Sequence, residues 1–373
     1  MTPEPDELVL TTATARYAVV VGPGLHATLP ERLTRLGLHG TLWLISDREV
    51  FPHHGPNLEA ALSHAGFLVR TYLVPSGEAS KSQGPLWQIY AWMIGSHVER
   101  GDVVLALGGG VVGDLAGFAA ATILRGIAVV QLPTTLLAMV DAALGGKTGI
   151  NHPLGKNLIG AFHQPRLVLA DTQTLRTLPP RELRAGWAEV IKHGVIRDAS
   201  LFETLEAHAA EFAAPERLQD PSPDYHQRLG DVIRQAAAVK VAVVSDDERE
   251  QGLRVILNYG HTLGHALETA SGYGALLHGE AVAIGMHAAA RMAAEMKLLA
   301  WDNVERQRRL LEAYGLPTAF PPGCDPDQIL SLTLHDKKVL HQRIRWILPT
   351  AIGQVTVRDD VPDEVVRAVL TSP

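Results

Sequence analysis

Short apolar runs alternate with helical patterns in the first half of the chain. The runs are continuous, and they predict buried strands at 18–21, 42–46, 69–74, 103–107, 128–132 and 167–170. Helices are predicted between them at 58–65, 85–96 and 112–124. Continuous apolar strands separated by helices are typical of a parallel sheet that is covered on both faces.

Beyond residue 178 the apolar positions recur at helical spacing instead. This pattern predicts helices at 182–195, 201–212, 225–244, 261–270, 280–297 and 304–314. The pair Pro179-Pro180 marks the change, and Pro180 is well placed to open a helix. Residues 215–223 are expected to form a surface loop, and 344–348 with 354–357 a hairpin. The chain therefore predicts a nucleotide-type α/β domain followed by a mostly helical one.

Composition and charge exclude several classes of protein. Of the 373 residues, 46% are hydrophobic and 20% charged, as in ordinary folded domains. A single cysteine, Cys324, excludes a disulfide framework and a cysteine-based metal cage. The net charge of −7, with no basic stripe, argues against a nucleic-acid partner. Because no long apolar run and no secretory signal are present, we expect a soluble, cytoplasmic protein without membrane contact.

A glycine-rich turn after the strand at 103–107 is the first candidate for chemistry. Gly108, Gly110 and Gly113 match the G-x-G-x-x-G spacing, in which glycines let the backbone approach a pyrophosphate. The ribose-binding acid expected about 20 residues later is missing, because the next strand ends without one. Asp47 closes an earlier strand and could bind a ribose instead. A tight strand–helix turn without a ligand is the alternative.

Two further segments place charged side chains in loops. Glu78 and Lys81 are spaced to clasp an adenosine ribose or, equally, to cap a helix at the surface. Lys147 follows Gly145 and Gly146 in an apolar loop, where exposed N–H groups favour anions. The glycine spacing before Lys147 does not match a P-loop.

Histidines cluster in the second half of the chain. His261 and His265 lie one helical turn apart, and His278 follows, which predicts a zinc-type site with an open position. From the residues alone, these three histidines are the predicted ligands. Glu189 and Lys192 share one face of an earlier helix. Surface positions are expected for His53, His54, His208, His226 and His341.

Long motifs then indicate a family. They are GGGVVGDLAGFAAATILRGI, QLPTTLLAMVDAALGGKTGIN, PLGKNLIGAF, AEVIKHG, DEREQGLRVILNYGHTLGHALE, HGEAV and DKKV. In this order, from residue 74 to residue 353, the chain resembles the 3-dehydroquinate synthase family of sugar-phosphate cyclases. The resemblance implies an N-terminal Rossmann-like, parallel-sheet NAD-binding domain at 1–178. It implies a C-terminal, mostly α-helical domain that binds metal and substrate at 179–373.

The resemblance also implies the reaction. The substrate would be 3-deoxy-D-arabino-heptulosonate 7-phosphate, and the products 3-dehydroquinate and phosphate. Transient oxidation of the C5 hydroxyl by NAD⁺ would acidify the C6–H and allow phosphate to be eliminated. Re-reduction, ring opening and an intramolecular aldol addition would complete the carbocycle. Because the nicotinamide ends as it began, no net redox change is expected.

Ligands for NAD and for one divalent ion, Zn²⁺ or Co²⁺, follow from the same resemblance. The metal ligands would be Glu189, His261 and His278, which leaves His265 near the substrate and off the metal. The implied NAD contacts are Asp47, Ser76, Gly77, Glu78, Ala79, Ser80, Lys81, Gly110, Val111, Val112, Gly113, Asp114, Thr134, Thr135, Asp141, Lys147, Lys156, Thr174, Leu175, Arg176 and Thr177.

The substrate carries a carboxylate and a phosphate, so the implied catalytic residues are mostly cations. They are Lys147, Lys192, Lys240, Arg254, Asn258, His265, Lys337, Lys338 and Arg125. His265 and Lys192 are the candidates for proton transfer or transition-state stabilisation, and the resemblance also allows the departing phosphate itself to take the proton. A homodimer is implied, in which Arg125 reaches the phosphate from the partner subunit.

Two departures from the family pattern lie at the cofactor end. Glu49 stands where an Asn is expected, and Ala142-Ala143 stand where two serines are expected. The alternative functions are a 2-deoxy-scyllo-inosose or 2-epi-5-epi-valiolone synthase, a metal-dependent polyol dehydrogenase, and a cofactor-binding regulator without activity. Dehydroquinate synthesis is favoured because Lys240, Arg254, Asn258 and the run Asp336-Lys337-Lys338 resemble the pattern of that family, which includes cations for a carboxylate that the other cyclase substrates lack.

Overall fold

The computed structural model describes residues 7–272, 275–334, 339–340 and 343–371. Its α-helices are α1 (Leu29–Arg35), α2 (Phe51–His64), α3 (Gln83–Gly95), α4 (Gly110–Thr122), α5 (Pro180–Arg197), α6 (Ala199–Ala207), α7 (Ala209–Phe212), α8 (Pro223–Asp246), α9 (His261–Ala270), α10 (His278–Glu295), α11 (Trp301–Ala313), α12 (Pro326–Leu334) and α13 (Asp363–Thr371). Its strands are β1 (Glu7–Thr11), β2 (Arg16–Gly22), β3 (Leu42–Asp47), β4 (Val69–Val74), β5 (Val103–Gly108), β6 (Ala128–Pro133), β7 (Lys147–His152), β8 (Gly155–Phe162), β9 (Leu167–Asp171), β10 (Val339–Leu340), β11 (Arg343–Ile344), β12 (Trp346–Ala351) and β13 (Gln354–Arg358).

Within the described residues the chain divides into two compact units. Unit 1 runs to Leu178 and also takes Leu218–Glu248, whereas unit 2 takes Pro179–Arg217 and the chain from Arg249 onward. The sequence pattern assigned everything beyond residue 178 to the second domain, but the structure groups α8 with unit 1. The reason is packing: α8 lies against β1 and β2, and the Thr11 N–H donates to Ser245 Oγ at 3.2 Å.

Unit 1 is built on a sheet of order β1-β2-β9-β6-β5-β3-β4. Its strands run parallel from β2 to β4, and only the edge strand β1 is antiparallel to its neighbour. All six predicted buried strands are present, which confirms the α/β class. The edge strand β1 and helix α1 were not predicted.

The central strands bury both faces, as their continuous apolar runs predict. Successive side chains of β3 point to opposite faces of the sheet and pack in two different hydrophobic cores. Trp43 and Ile45 pack on the side of α3 and α4, and Leu42 and Leu44 pack on the side of α1 and α2. Two helical layers therefore cover the sheet and hold its strand ends in place.

The glycine-rich segment around Lys147 is a hairpin and not an open loop. Strands β7 and β8 pair antiparallel, with Lys147 opposite Phe162. Most of β8 faces solvent even where its side chains are apolar, as at Leu158 and Ile159. These strands were not predicted because glycines and polar residues interrupt their apolar runs.

Unit 2 is mostly helical, as predicted, with the predicted hairpin present as β12 and β13. Helices α9 and α10 approach closely where Gly285 of α10 faces Gly260, the residue before α9. A Cβ at Gly285 would lie only 2.0 Å from the Gly260 carbonyl oxygen, so only glycine allows this approach. The predicted helix at 201–212 is interrupted at His208, and α12 and α13 were not predicted.

The expectation of surface histidines is wrong at one position and untested at another. His226, expected at the surface, is buried in unit 1, where its Nε2 lies 3.0 Å from Arg176 Nη2. His341 lies outside the described residues. Among the residues that are described, no helix combines the length and hydropathy of a membrane span.

Candidate active site

Three helices of unit 2 bring one carboxylate and two imidazoles together. Glu189 lies in the middle of α5, and His261 and His278 are the first residues of α9 and α10. Glu189 Oε1 is 3.5 Å from His261 Nε2 and 3.4 Å from His278 Nε2. One ligand atom from each residue falls within 4.8 Å of the others, which suits a single divalent ion.

The donor set of this cluster fits such an ion. Both carboxylate oxygens of Glu189 are buried and, among the described residues, neither has a hydrogen-bond partner of normal geometry. His261 Nδ1 lies 3.0 Å from the Tyr259 carbonyl oxygen, so Nδ1–H donates there and the Nε2 lone pair faces Glu189. A carboxylate and two imidazoles with satisfied outer nitrogens are common zinc ligands.

Electrostatics favour the charge states that a metal needs at Glu189 and His261. Burial opposes ionisation of Glu189, but the ammonium of Lys192 and the two histidines outweigh it and hold the pKa of Glu189 well below its usual range. Burial, and then Lys192, lower the pKa of His261 well below its ordinary value, so this imidazole is neutral at pH 7. Glu189 is therefore an anion and His261 a neutral ligand. At His278 burial lowers the pKa, but hydrogen bonds to Glu189 and Glu268 outweigh it and raise the pKa to about 9, so an ion must displace a proton there.

Of the unit 2 catalytic candidates, Lys192 and His265 lie beside this cluster. Lys192 Nζ contacts Glu189 Oε2 from one turn further along α5, and the His265 ring lies 5.4 Å from the His261 ring. Arg254 is 2% exposed in the 3₁₀ turn Leu253–Asn258. Asn258, at the end of that turn, donates from Nδ2 to Glu250 Oε1 at 2.8 Å.

In unit 1 the candidate NAD contacts collect where the parallel strands end. Asp47 closes β3, and its Oδ1 accepts hydrogen bonds from the Glu49 and Val50 N–H groups and from Ser76 Oγ, at 2.8–2.9 Å. Within the described residues these three donors reach Oδ1, and none of the three reaches Oδ2. The edge formed by the carboxyl ends of parallel strands is the usual place for a ligand in such sheets.

The glycine turn leads into α4 beside a buried ion pair. Lys81 Nζ contacts Asp114 Oδ2, and Asn151 Nδ2 donates to Glu78 Oε1 at 2.7 Å. Burial raises the pKa of Asp114, and Lys81 opposes that shift. At Gly109, just before α4, a Cβ would lie 3.0 Å from the Thr135 methyl group, so the turn has little room for a side chain. The predicted turn and the Ser76–Lys81 segment thus meet at one edge of the sheet.

Asp141 lies in a π-helical turn, Ala138–Ala142. Lys240 Nζ, from α8, donates to the Asp141 carbonyl oxygen at 2.6 Å and to its Oδ1 at 2.7 Å. The Thr134 hydroxyl is buried and has no hydrogen-bond partner among the described residues, so it can meet a bound group. The Thr135 hydroxyl instead accepts the Ala138 N–H at 3.1 Å.

Other candidates have side chains with structural roles. The Thr174 hydroxyl donates to the Asp171 carbonyl, and Arg176 Nε to the Leu218 carbonyl. Thr177 Oγ1 lies 2.8 Å from His54 Nε2. Lys147 is exposed at the start of β7, and Lys156 is half-buried in β8. Lys337 and Lys338 lie outside the described residues.

Two residues of these clusters were not predicted. Asn151 bonds Glu78, and Glu268 contacts His278 through their side chains. The sequence signal for Glu268 is its spacing, since it follows His261 by seven residues and His265 by three, on one helix face. No comparable pattern pointed to Asn151.

Comparison with known proteins gives a consistent result. A family model for the 3-dehydroquinate synthase N-terminal part matches residues 71–185, and one for its C-terminal part matches residues 186–339. A 3-dehydroquinate synthase from Synechocystis is 50% identical over 354 residues, covering 95% of this chain and 96% of the relative. One from Nostoc punctiforme is 48% identical, again over 95% of this chain and 96% of the relative.

Solved structures share the fold of the whole chain. A 2-epi-5-epi-valiolone synthase from Streptomyces hygroscopicus, with NAD⁺ and Zn²⁺ bound, has a TM-score of 0.84 and 31% identity over 95% of both chains. A 2-deoxy-scyllo-inosose synthase in complex with carbaglucose-6-phosphate, NAD⁺ and Co²⁺ has a TM-score of 0.85 and 28% identity, covering 98% of this chain and 99% of that one.

Proposed function

The chain belongs to the 3-dehydroquinate synthase family, and from that premise we propose that it converts 3-deoxy-D-arabino-heptulosonate 7-phosphate to 3-dehydroquinate and phosphate. The reaction comprises transient oxidation, phosphate elimination, re-reduction, ring opening and an intramolecular aldol addition. The main support is the cluster of Glu189, His261 and His278 in unit 2, of which Glu189 and His261 are buried. The NAD-contact candidates at the strand ends of unit 1 support it.

When bound, NAD supplies reversible hydride acceptance and the divalent ion, Zn²⁺ or Co²⁺, supplies Lewis acidity. Glu189, His261 and His278 hold the ion. Asp47 binds a ribose through Oδ2, because Oδ1 is occupied by donors of the chain itself. The first turn of α4 offers free N–H groups to the pyrophosphate.

The remaining candidates bind the substrate and move protons. Arg254 is the residue best suited to the carboxylate, since a guanidinium binds carboxylates in a bidentate manner. Lys192 balances the charge of Glu189 and is one candidate for proton transfer. His265, whose ring lies beside His261, is the other.

The substrate distinguishes this function from other cyclases and from a polyol dehydrogenase. Purified protein with NAD⁺ and Zn²⁺ should release phosphate from the heptulosonate phosphate and yield a product with the mass of 3-dehydroquinate. Glucose 6-phosphate, the natural-ring counterpart of the carbaglucose-6-phosphate bound by the inosose synthase, should release none. The reverse preference would show that the chain is a different cyclase.

A homodimer with Arg125 at its interface is also part of the proposal. The apolar residues Leu158, Ile159 and Phe162 of β8 are 41–47% exposed, which suits an interface with a second copy. Arg125 adopts a left-handed conformation, φ 69°, in the turn before β6. That turn lies beside the end of β8, because His163 Nε2 is 2.8 Å from the Ile127 carbonyl oxygen.

Subunit mixing tests this arrangement. Arg125→Ala and His261→Ala should each be inactive alone. If Arg125 acts in the partner's site, an equal mixture should recover about a quarter of wild-type activity, because half of the dimers are mixed and each has one intact site. No recovery, with dimers shown by sedimentation, would contradict the shared site.

The cytoplasm is the proposed location, since a lone cysteine needs no oxidising compartment.

A further inference from the structure

Helix α9 carries a third side chain toward the metal cluster. Glu268 follows His261 by seven residues and His265 by three, so all three share one face of the helix. The residue is 7% exposed, and a glutamate is almost never buried to this extent unless it is paired. The proposed reaction leaves Glu268 without a role.

Glu268 contacts His278 on the side away from Glu189. Glu268 Oε2 is 3.4 Å from His278 Nδ1, whereas Glu189 Oε1 is 3.4 Å from His278 Nε2. The two nitrogens of one ring therefore face two different carboxylates. Only Nε2 points into the cluster that includes His261.

The two histidines are held by different partners. His261 has a backbone partner for its outer nitrogen, the Tyr259 carbonyl oxygen at 3.0 Å. At His278 that place is taken by the Glu268 side chain. A carboxylate that accepts the outer N–H of a metal-binding histidine fixes its tautomer and ring orientation and makes it a more basic ligand.

We propose that Glu268 is a positioning residue that orients His278 and strengthens its bond to the metal. It accepts the Nδ1–H of His278 and so presents the Nε2 lone pair to the ion. This inference rests on the proposed metal site, and it concerns metal affinity first and turnover only through it. Because His261 depends on backbone, His278 is the ligand that a single side-chain change can release.

Metal binding to the full-length protein tests the proposal without an activity assay. Wild type, Glu268→Ala and Glu268→Gln are stripped of metal, and Zn²⁺ affinity is measured by competition with a chromogenic chelator. The visible absorption of bound Co²⁺ reports the geometry of the ligands. Glu206→Gln is the matched control, because that carboxylate of unit 2 pairs with Arg306 instead.

The expected loss of Zn²⁺ affinity is about 10- to 100-fold for Glu268→Ala, with a changed Co²⁺ spectrum. Glu268→Gln should lose less, because its amide oxygen can still accept the Nδ1–H, and Glu206→Gln should lose nothing. Glu268→Gln also keeps the proposal testable if Glu268→Ala fails to fold.

Two results would overturn the inference, and they are distinguishable. If wild type and both Glu268 variants bind Zn²⁺ equally tightly with the same Co²⁺ spectrum, Glu268 does not position His278, and the metal site itself stands. If wild type binds neither ion, the metal site of the proposed function fails and this inference fails with it.

Discussion

Gly279 lies where α10 meets α5, next to the metal ligand His278. A Cβ added there would lie 1.9 Å from the Ala185 carbonyl oxygen and 2.8 Å from its Cα. Both atoms are backbone, so no side chain can move aside. The helices would have to separate by about 1.1 Å before the shortest contact reached 3.0 Å, below which real Cβ contacts essentially do not occur.

Two opposing effects decide the outcome of Gly279→Ala. Alanine gains about 0.5–1 kcal/mol in a helix interior because it loses less backbone entropy than glycine. Overpacking against backbone costs about 1–3 kcal/mol or more. We therefore expect a net loss of about 1–2 kcal/mol in the free energy of unfolding of unit 2. Urea-induced unfolding of the metal-free protein measures this loss.

The same substitution should also weaken Zn²⁺ binding. Glu189 is one helical turn beyond Ala185, so a shift of α5 against α10 moves two ligands apart. Metal–ligand distances tolerate only about 0.2 Å. The control is Gly84→Ala in α3, where a Cβ meets nothing within 4 Å, and which should be neutral or stabilising. If Gly279→Ala keeps the free energy of unfolding and the Zn²⁺ affinity of wild type, the close contact with Ala185 does not hold α5 and α10 in place.

Three further predictions concern pH, a buried ion pair and the metal. Burial, with His26 and His53, lowers the pKa of His54 from 6.5 to about 4, against the attraction of Asp171, so unit 1 should lose stability as pH falls from about 6.5 to 4. His54→Gln should lose less stability than wild type between pH 7 and pH 5 in urea unfolding, and an equal loss would contradict the assignment. Lys81→Met should cost unit 1 about 2 kcal/mol at pH 7, because the Asp114 carboxylate stays buried without its cation; no cost would mean that Asp114 is neutral. Zn²⁺ at about 100 times its dissociation constant should stabilise unit 2 by about 2.7 kcal/mol, and His261→Ala should abolish that gain. A gain that persists in His261→Ala would place the ion elsewhere.

The sheet could be predicted from the sequence because burial on both faces leaves a direct signal. Strands such as β3 and β5 are unbroken apolar runs, and no polar alternation competes with them. Strand β8, in which glycine and polar residues interrupt the apolar ones, gave no such signal. Helix α8 was found but grouped wrongly, because helical periodicity shows which face is buried and not which element covers it.

The site was predictable only in part. Spacing within one helix suggested His261 and His265 as joint ligands, but it carries no information on how α5 packs against α9. Family resemblance supplied Glu189, and the structure brings it to His261 and His278. The pairs Asp47–Ser76 and Lys240–Asp141 join residues 29 and 99 positions apart, which local patterns cannot connect.

The most direct test of the central claim follows phosphate and NADH together during turnover of 3-deoxy-D-arabino-heptulosonate 7-phosphate, with and without a chelator. If the chain is a 3-dehydroquinate synthase, we expect phosphate release that stops on chelation and returns with Zn²⁺ or Co²⁺, formation of 3-dehydroquinate, and no accumulation of NADH. Accumulation of NADH in step with substrate consumption would identify a dehydrogenase and contradict it. Absence of phosphate release with NAD⁺ and metal both bound would contradict it equally.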